Sequence, residues 1–169
     1  TLKALQKMAH YLRKHRKVKV VGITGSVGKT STRDMVYSVV KQQYKTLKTE
    51  GNYNNNIGLP LTILRLKDEE VMILEMGMNH LNEMEELSRI ACPDISAFTN
   101  VGTAHIGELG SRENILKAKL EIVAGMSDGS TLVINGDNDM LSTVRFDNFK
   151  VVKVGVDCAA VFKAEKVIL

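Results

Sequence analysis

The chain has no tryptophan, only two prolines and two cysteines, and aromatic residues make up just 5% of it. Cys92 and Cys158 form no C-x-x-C motif, which argues against zinc and against a disulfide framework and fits a reducing compartment. No apolar run approaches the ~20 residues needed to span a membrane, because Lys or Arg interrupts every long one. The basic N-terminus lacks the apolar core of a signal peptide. The strings Asn-Lys-x-Asp and Asp-x-x-Gly are absent, which argues against a GTP-binding switch. Acid is missing altogether from residues 1–33, which carry nine Lys or Arg.

That last absence makes the net charge of +4 misleading, since fourteen basic residues face nineteen acidic ones downstream, a net −5. The basic segment places Leu2, Leu5, Met8, Ala9 and Leu12 on one helical face, with His10 and His15 among its polar residues. It reads as a helix packing on a neighbouring domain, with a solvated basic face. Nucleic-acid binding is disfavoured because aromatics do not interleave with the charges. At 169 residues and 44% hydrophobic content the chain can bury one proper core. The expected division is a linker helix over 1–17 and one domain over 18–169. The start at Thr1 and the strand-like run Lys166-Val167-Ile168-Leu169 suggest a domain of a longer protein.

Hydrophobic periodicity alternates along the chain. Strands are expected at 18–23, 44–48, 71–74, 95–99, 131–134 and 150–156. Helices are expected at 30–42, 59–66, 82–91, from a Ser111 cap to about Gly125, and at 139–146. Strands and helices in alternation with short links predict an α/β fold. Its sheet should be mostly parallel and doubly wound, with the site at the C-terminal edge of the strands.

The most informative stretch is Thr24-Gly25-Ser26-Val27-Gly28-Lys29-Thr30-Ser31, which follows the apolar run Val18 to Ile23 and precedes a helical segment. A strand, a glycine turn and a helix N-terminus in that order make a phosphate cradle, where backbone N–H groups and the helix dipole face one anion. Lys29 can reach outer phosphates and the Thr30 hydroxyl can hold magnesium. No glycine sits where the full G-x-x-x-x-G-K-[ST] pattern puts its first, but the core G-x-x-G-K-T is intact. The bland reading is an ordinary glycine-rich turn with a surface lysine.

Residues just past the strand ends gain meaning from that fold. Glu75 is a magnesium ligand or a strand-end salt bridge. His105, in Asn100-Val101-Gly102-Thr103-Ala104-His105, is a site residue or a solvated loop histidine, and His80 has weaker context. Lys119 has Ile115, Leu116, Ile122 and Val123 at helical offsets of three and four, so it sits in an apolar stripe that lowers its pKa. It is therefore either a neutral, reactive amine or a snorkelling lysine. Lys117 points to the solvated side.

The string from Ile23 to Thr32, the segment Gly51-Asn52-Tyr53-Asn54-Asn55-Asn56-Ile57-Gly58-Leu59-Pro60-Leu61-Thr62, and Glu75-Met76-Gly77-Met78-Asn79-His80 resemble the ATP-binding domain of the Mur ligases. Asn100 to Ile106, Ala118-Lys119-Leu120-Glu121 and Asn135-Gly136-Asp137-Asn138 continue the pattern, so it spans about residues 18 to 140. The family's shortened phosphate loop accounts for the missing glycine. The resemblance implies a three-domain enzyme in which this chain is the central domain, without the N-terminal UDP-sugar-binding and C-terminal Rossmann-like domains. It implies a bacterial cytoplasmic enzyme that uses ATP and Mg²⁺, two ions, to make an amide bond in wall synthesis through an acyl phosphate.

The asparagine-rich loop points to the branch that joins D-alanyl-D-alanine to UDP-N-acetylmuramoyl-tripeptide. By resemblance, Lys29, His105 and Lys119 are catalytic; Asn52, Asn55 and Asn135 lie on the nucleotide side with Thr24 to Ser31. Thr30 and Glu75 hold one metal, and His105 with Lys119, carbamoylated by CO₂, support a second. Folylpolyglutamate- and cyanophycin-type ligases share the loop, a small-molecule kinase does not explain the His105 and Lys119 segments, and a nucleotide-binding module inactive on its own is a further alternative. Since the other domains would supply the sugar site and the lid, residues 1–169 alone are expected to form no ligated product from ATP and both substrates. Chromatography of such a reaction checks this.

Overall fold

A seven-stranded sheet carries the described residues, 1–166, of the computed structural model. The run Val167-Ile168-Leu169, read from sequence as strand-like, lies outside them. Along the chain come α1 (Leu2–His15), β1 (Lys19–Thr24), α2 (Lys29–Val40), β2 (Thr46–Lys48), α3 (Gly58–Ile63), β3 (Val71–Glu75) and α4 (Glu83–Ala91). They are followed by β4 (Ile95–Phe98), α5 (Ile106–Leu109), α6 (Arg112–Leu120), β5 (Thr131–Asn135), β6 (Lys150–Gly155) and β7 (Phe162–Lys163). The strand order is β2-β3-β1-β4-β5-β6-β7, and every pairing is parallel.

Strand period two divides the core. Val20, Met72 and Leu74 face the main core with Leu59, Met84, Leu87, Ile115 and Ile122, while Val21, Ile23, Val71 and Ile73 face α2 through Val36, Tyr37 and Val40. All five residues of β3 are buried, as a strand covered on both faces requires. Register puts Ile23 opposite Glu75 and Thr24 opposite Phe98, so β1, β3 and β4 end level with one another. That shared edge carries the site.

Several elements depart from the sequence reading. The helix capped by Ser111, whose side chain accepts from Asn114 N–H, ends at Leu120 and tightens into a 3₁₀ turn over Glu121–Gly125. The cause is close packing: Gly125 abuts the Ser88 backbone, and Ser88 Oγ donates to Ile122 O and accepts from Gly125 N–H. The expected helix at 139–146 is only a 3₁₀ turn, Leu141–Thr143. Two short elements, α5 and β7, were not anticipated, being four and two residues long.

The basic helix α1 packs on α3 and α4 of this same domain, with Ala9 and Gln6 buried. Its anchor is Arg13. Nε donates to Ala91 O at 3.0 Å, and one terminal nitrogen donates to Cys92 O at 2.9 Å and Asp94 Oδ2 at 3.0 Å. The guanidinium thus closes the C-terminus of α4, where carbonyls lack helical partners. No helix among the described residues is long and apolar enough to cross a membrane. Arg13→Ala should lower the unfolding free energy by about 1–3 kcal/mol by orphaning those acceptors. Urea denaturation measures this; Arg13 touches no phosphate-loop group, so the site itself should be unaffected.

Candidate functional site

The loop between β1 and α2 turns on two glycines. Gly28 has φ +80 and precedes the first residue of α2, a conformation an L side chain rarely adopts. A Cβ on Gly25 would collide with the Thr99 hydroxyl, so that backbone needs glycine for close approach. The segment after β4 zips onto the loop. Asn100 Oδ1 accepts from Ser26 N–H (3.1 Å) and Val27 N–H (3.0 Å), Thr99 Oγ1 donates to Val27 O, and Gly102 N–H donates to Ser26 Oγ. Lys29 Nζ folds back onto Gly25 O at 2.9 Å. Thr24 Oγ1 is buried without a hydrogen-bond partner. Val27, Gly28, Thr30 and Ser31 are exposed at the mouth.

Glu75 gathers this edge of the sheet. Only 3% exposed, its Oε2 accepts from Thr30 Oγ1 (2.9 Å) and an Arg33 terminal nitrogen (3.2 Å), and its Oε1 accepts from Asn54 Nδ2 (2.8 Å). Of the two sequence alternatives the structure contains the salt bridge, from Arg33, and the same carboxylate also accepts from the Thr30 hydroxyl. Thr30 and Arg33 lie three apart on α2, so both reach the end of β3. Arg33 is gripped by Asp34 through two bonds of 3.0 and 3.1 Å, and Lys48 pairs with Asp34 at 2.6 Å. These hydrogen bonds, from Arg33 first and then Lys48, hold the Asp34 carboxyl at about 2.

Beside Glu75 opens a cavity of about 410 Å³ lined by Lys29, Asn54, Asn55, Asn56, Gly77, Met78, Asn79, Glu83, Leu87 and His105. Lys119, 2% exposed, lies within electrostatic reach of it. Burial first, and then the charge of Lys29, lowers its pKa to about 8. Such burial does not fit a snorkelling ammonium, although only Ile115 and Leu116 of the expected stripe share its α-helix. Lys117 is exposed, as expected. His105, at φ +68, heads α5, and burial together with Lys119 and Lys29 lowers its pKa.

The structure does not gather every expected residue. Asn52 is exposed and outside the cavity, while Asn55 Oδ1 accepts from Ile57 and Gly58 N–H and so shapes the entry to α3. Asn135 lines a separate cavity of about 360 Å³ on the other flank of the loop, with Thr32, Phe98, Thr99, Asp137 and Val156. Arg33, Asn54 and Asn100 escaped sequence reasoning as site-building residues. Arg33 had a signal, a charged residue one helical turn beyond Lys29; the three asparagines 54–56 look alike in sequence.

Among the described residues no group of three or more His, Cys, Asp or Glu forms a metal cage. The donor set nevertheless suits magnesium, which binds through a carboxylate and hard oxygens while phosphate and water complete its shell. Thr30 and Glu75 offer such oxygens, and a neutral His105 can ligate.

A wholly parallel α/β sheet with a glycine-rich loop, a lysine and a carboxylate at one edge defines a phosphate-loop domain. More particularly, the chain belongs to the Mur ligase family, whose middle domain matches residues 23–169. It is 46% identical over 142 residues to UDP-N-acetylmuramoyl-tripeptide–D-alanyl-D-alanine ligase of Bacillus subtilis, covering 83% of this chain and 31% of that protein. The ligase of the same name from Synechocystis is 41% identical over 160 residues, covering 93% and 35%. The MurF ligase of Thermotoga maritima, solved in complex with ADP, superposes with a TM-score of 0.88 at 34% identity, over 93% of this chain and 37% of that one. The chain thus spans about a third of the length of these relatives.

The pKa of Lys119 has a consequence for stability. Its folded value, about 8, lies below the ordinary 10.5, so between those values the unfolded state binds more protons and stability rises with pH. Below pH 8 the full destabilisation is present. Lys119→Met should therefore be more stable than wild type at pH 7, with the difference shrinking from pH 8 to pH 10. Urea titrations of both proteins across that range provide the test.

Proposed function

We propose that this chain is the nucleotide-binding part of an ATP-dependent amide-bond ligase of peptidoglycan precursor synthesis. The complete enzyme would join D-alanyl-D-alanine to UDP-N-acetylmuramoyl-tripeptide, with the sugar-binding and closing domains outside these residues. The observation that carries this reading is the contact of the phosphate-loop hydroxyl of Thr30 with the buried carboxylate of Glu75, beside a cavity into which Lys29 and His105 both project. The likeness to the ADP-bound Thermotoga enzyme supports ATP as the nucleotide.

The first reaction step brings together two anions, a γ-phosphate and a peptide carboxylate, which repel. The carboxylate oxygen attacks the γ-phosphorus, the bond to the ADP oxygen breaks, and an acyl phosphate forms. The amine of D-alanyl-D-alanine then attacks the acyl carbon, a proton leaves the nitrogen, and phosphate departs from the tetrahedral intermediate. Positioning and charge neutralisation are what the protein must supply. Lys29 exchanges its loop carbonyl for phosphate oxygens. The Val27 N–H group, released from Asn100, joins the first amides of α2 in the cradle.

Thr30 and Glu75 would hold one magnesium ion, and His105 with a carbamoylated Lys119 a second; bound, these ions neutralise the transferring phosphoryl group. Carbamoylation needs a neutral amine, and the burial of Lys119 favours one. Asn135, with Thr32, lines the second cavity flanking the loop and is the remaining nucleotide-side candidate.

The complete protein should turn over ATP to ADP repeatedly with UDP-muramoyl-tripeptide only when D-alanyl-D-alanine is present, and Lys29→Ala should reduce that rate by about 10³-fold or more. Lys119→Ala should also lose most activity and regain part of it with formate or acetate, whereas chloride at equal ionic strength gives nothing. Lys117→Ala should be silent. Full activity of Lys119→Ala, or equal effects of carboxylate and chloride, would remove the carbamate from the mechanism.

A further inference from the structure

The nucleotide-site reading assigns Glu75 to a metal but leaves Arg33 without a role. Arg33 is 5% exposed, and none of its contacts is incidental. Nε and one terminal nitrogen grip Asp34, while the other terminal nitrogen divides its bonds between Gly51 O at 3.0 Å and Glu75 Oε2 at 3.2 Å. One planar group thus joins the phosphate-loop helix α2, the end of β3 and the start of the asparagine-rich loop. The far end of that loop returns to the same carboxylate through Asn54. A lysine could supply the charge but not this fork.

We propose that Arg33 is a positioning residue that makes metal capture by Thr30 and Glu75 conditional on the nucleotide. The proposal rests on the phosphate loop being the nucleotide site. Glu75 and Asp34 are matched by Arg33 and Lys48, so the four side chains carry no net formal charge. On the open side stand Lys29 and His105, with Glu83 the acid lining the cavity, and Lys119 is buried nearby. A bare divalent cation entering there meets the Lys29 ammonium and a carboxylate already neutralised by Arg33. A polyphosphate seated on Lys29 reverses that field, and the metal then has both a net attraction and oxygens to complete its shell. Arg33 also holds the Glu75 carboxylate facing Thr30 through its hydrogen bond to Oε2, so the burial of that carboxylate is matched by a charged donor.

The test is Mn²⁺ binding to the complete protein, with and without ADP, read from the electron paramagnetic resonance signal of free Mn²⁺ after the Mn²⁺ that ADP binds in protein-free solution is subtracted. Wild type should bind Mn²⁺ at least about tenfold more weakly without ADP. Arg33→Met leaves one carboxylate charge uncompensated and should tighten binding of Mn²⁺ alone by about tenfold or more. The gain should vanish in the Arg33→Met/Glu75→Gln pair. Arg33→Lys keeps the charge and loses the fork, so Mn²⁺ alone stays weak while affinity for Mn²⁺ with ADP falls several-fold. Equal Mn²⁺ affinity of wild type with and without ADP, or no gain in Arg33→Met, overturns the proposal. Should Arg33→Met not fold, Arg33→Lys decides: wild-type affinity for Mn²⁺ with ADP overturns it. If wild type binds no ADP at all, the nucleotide-site reading falls and takes this proposal with it, whereas the Arg33 outcomes count against this proposal alone.

Discussion

A carboxylate removed from water must be met by donors or cations, and the C-terminal edge of this sheet is built around meeting that demand at Glu75. Thr30 and Arg33 come from the start of α2 and Asn54 from the asparagine-rich loop, and each presents a donor to it. Satisfying the charge therefore fixes the first turn of α2, the asparagine-rich loop and the end of β3 relative to one another. The backbone joins in as well, since Glu75 N–H donates to the buried Thr49 hydroxyl. Placed one residue earlier or later on β3, the side chain would point to the opposite face of the sheet.

Across the cavity the opposite condition holds. Lys29, His105 and Lys119 share a region where charge on one disfavours charge on the others, and two of the three are pushed towards their neutral forms. Nothing in folding calls for a buried lysine beside another lysine. Such local conflict is characteristic of sites that await an anion. The phosphate loop meets its own polar groups locally, with Lys29 on a loop carbonyl and Asn100 on two loop amides.

Much of this was legible in the sequence because the signals were local. The apolar run before Gly25, the glycine spacing and the Lys-Thr pair placed β1, the loop and α2 to within a residue or two, and Ser111 capped α6 as read. The burial of Lys119 was also foreshadowed, although for a partly mistaken reason: the stripe assumed an unbroken α-helix, and the packing of Gly125 on Ser88 tightens it into a 3₁₀ turn. What stayed hidden depends on pairings distant in sequence. Arg33 meets Glu75 across 42 positions and Asn100 meets Ser26 across 74, and no periodicity reports such contacts. The contact of helix α1 with α3 and α4 was hidden for a similar reason, because its amphipathic face could not reveal which surface it covers. Arg13 settles that by seeking the unpaired carbonyls at the end of α4.

The wholly parallel sheet also bears on how the chain reaches this state. Without a hairpin, no two strands can pair through a tight turn, and the central strand β1 has both of its partners, β3 and β4, far along the chain. Loop closure must precede the first ladder bond, so early collapse gains little from strand pairing and relies on the helices. Such a chain folds slowly for its size, with unpaired strands exposed along the way. During synthesis β1, and the phosphate loop it carries, must wait without a ladder until Val71–Glu75 has emerged.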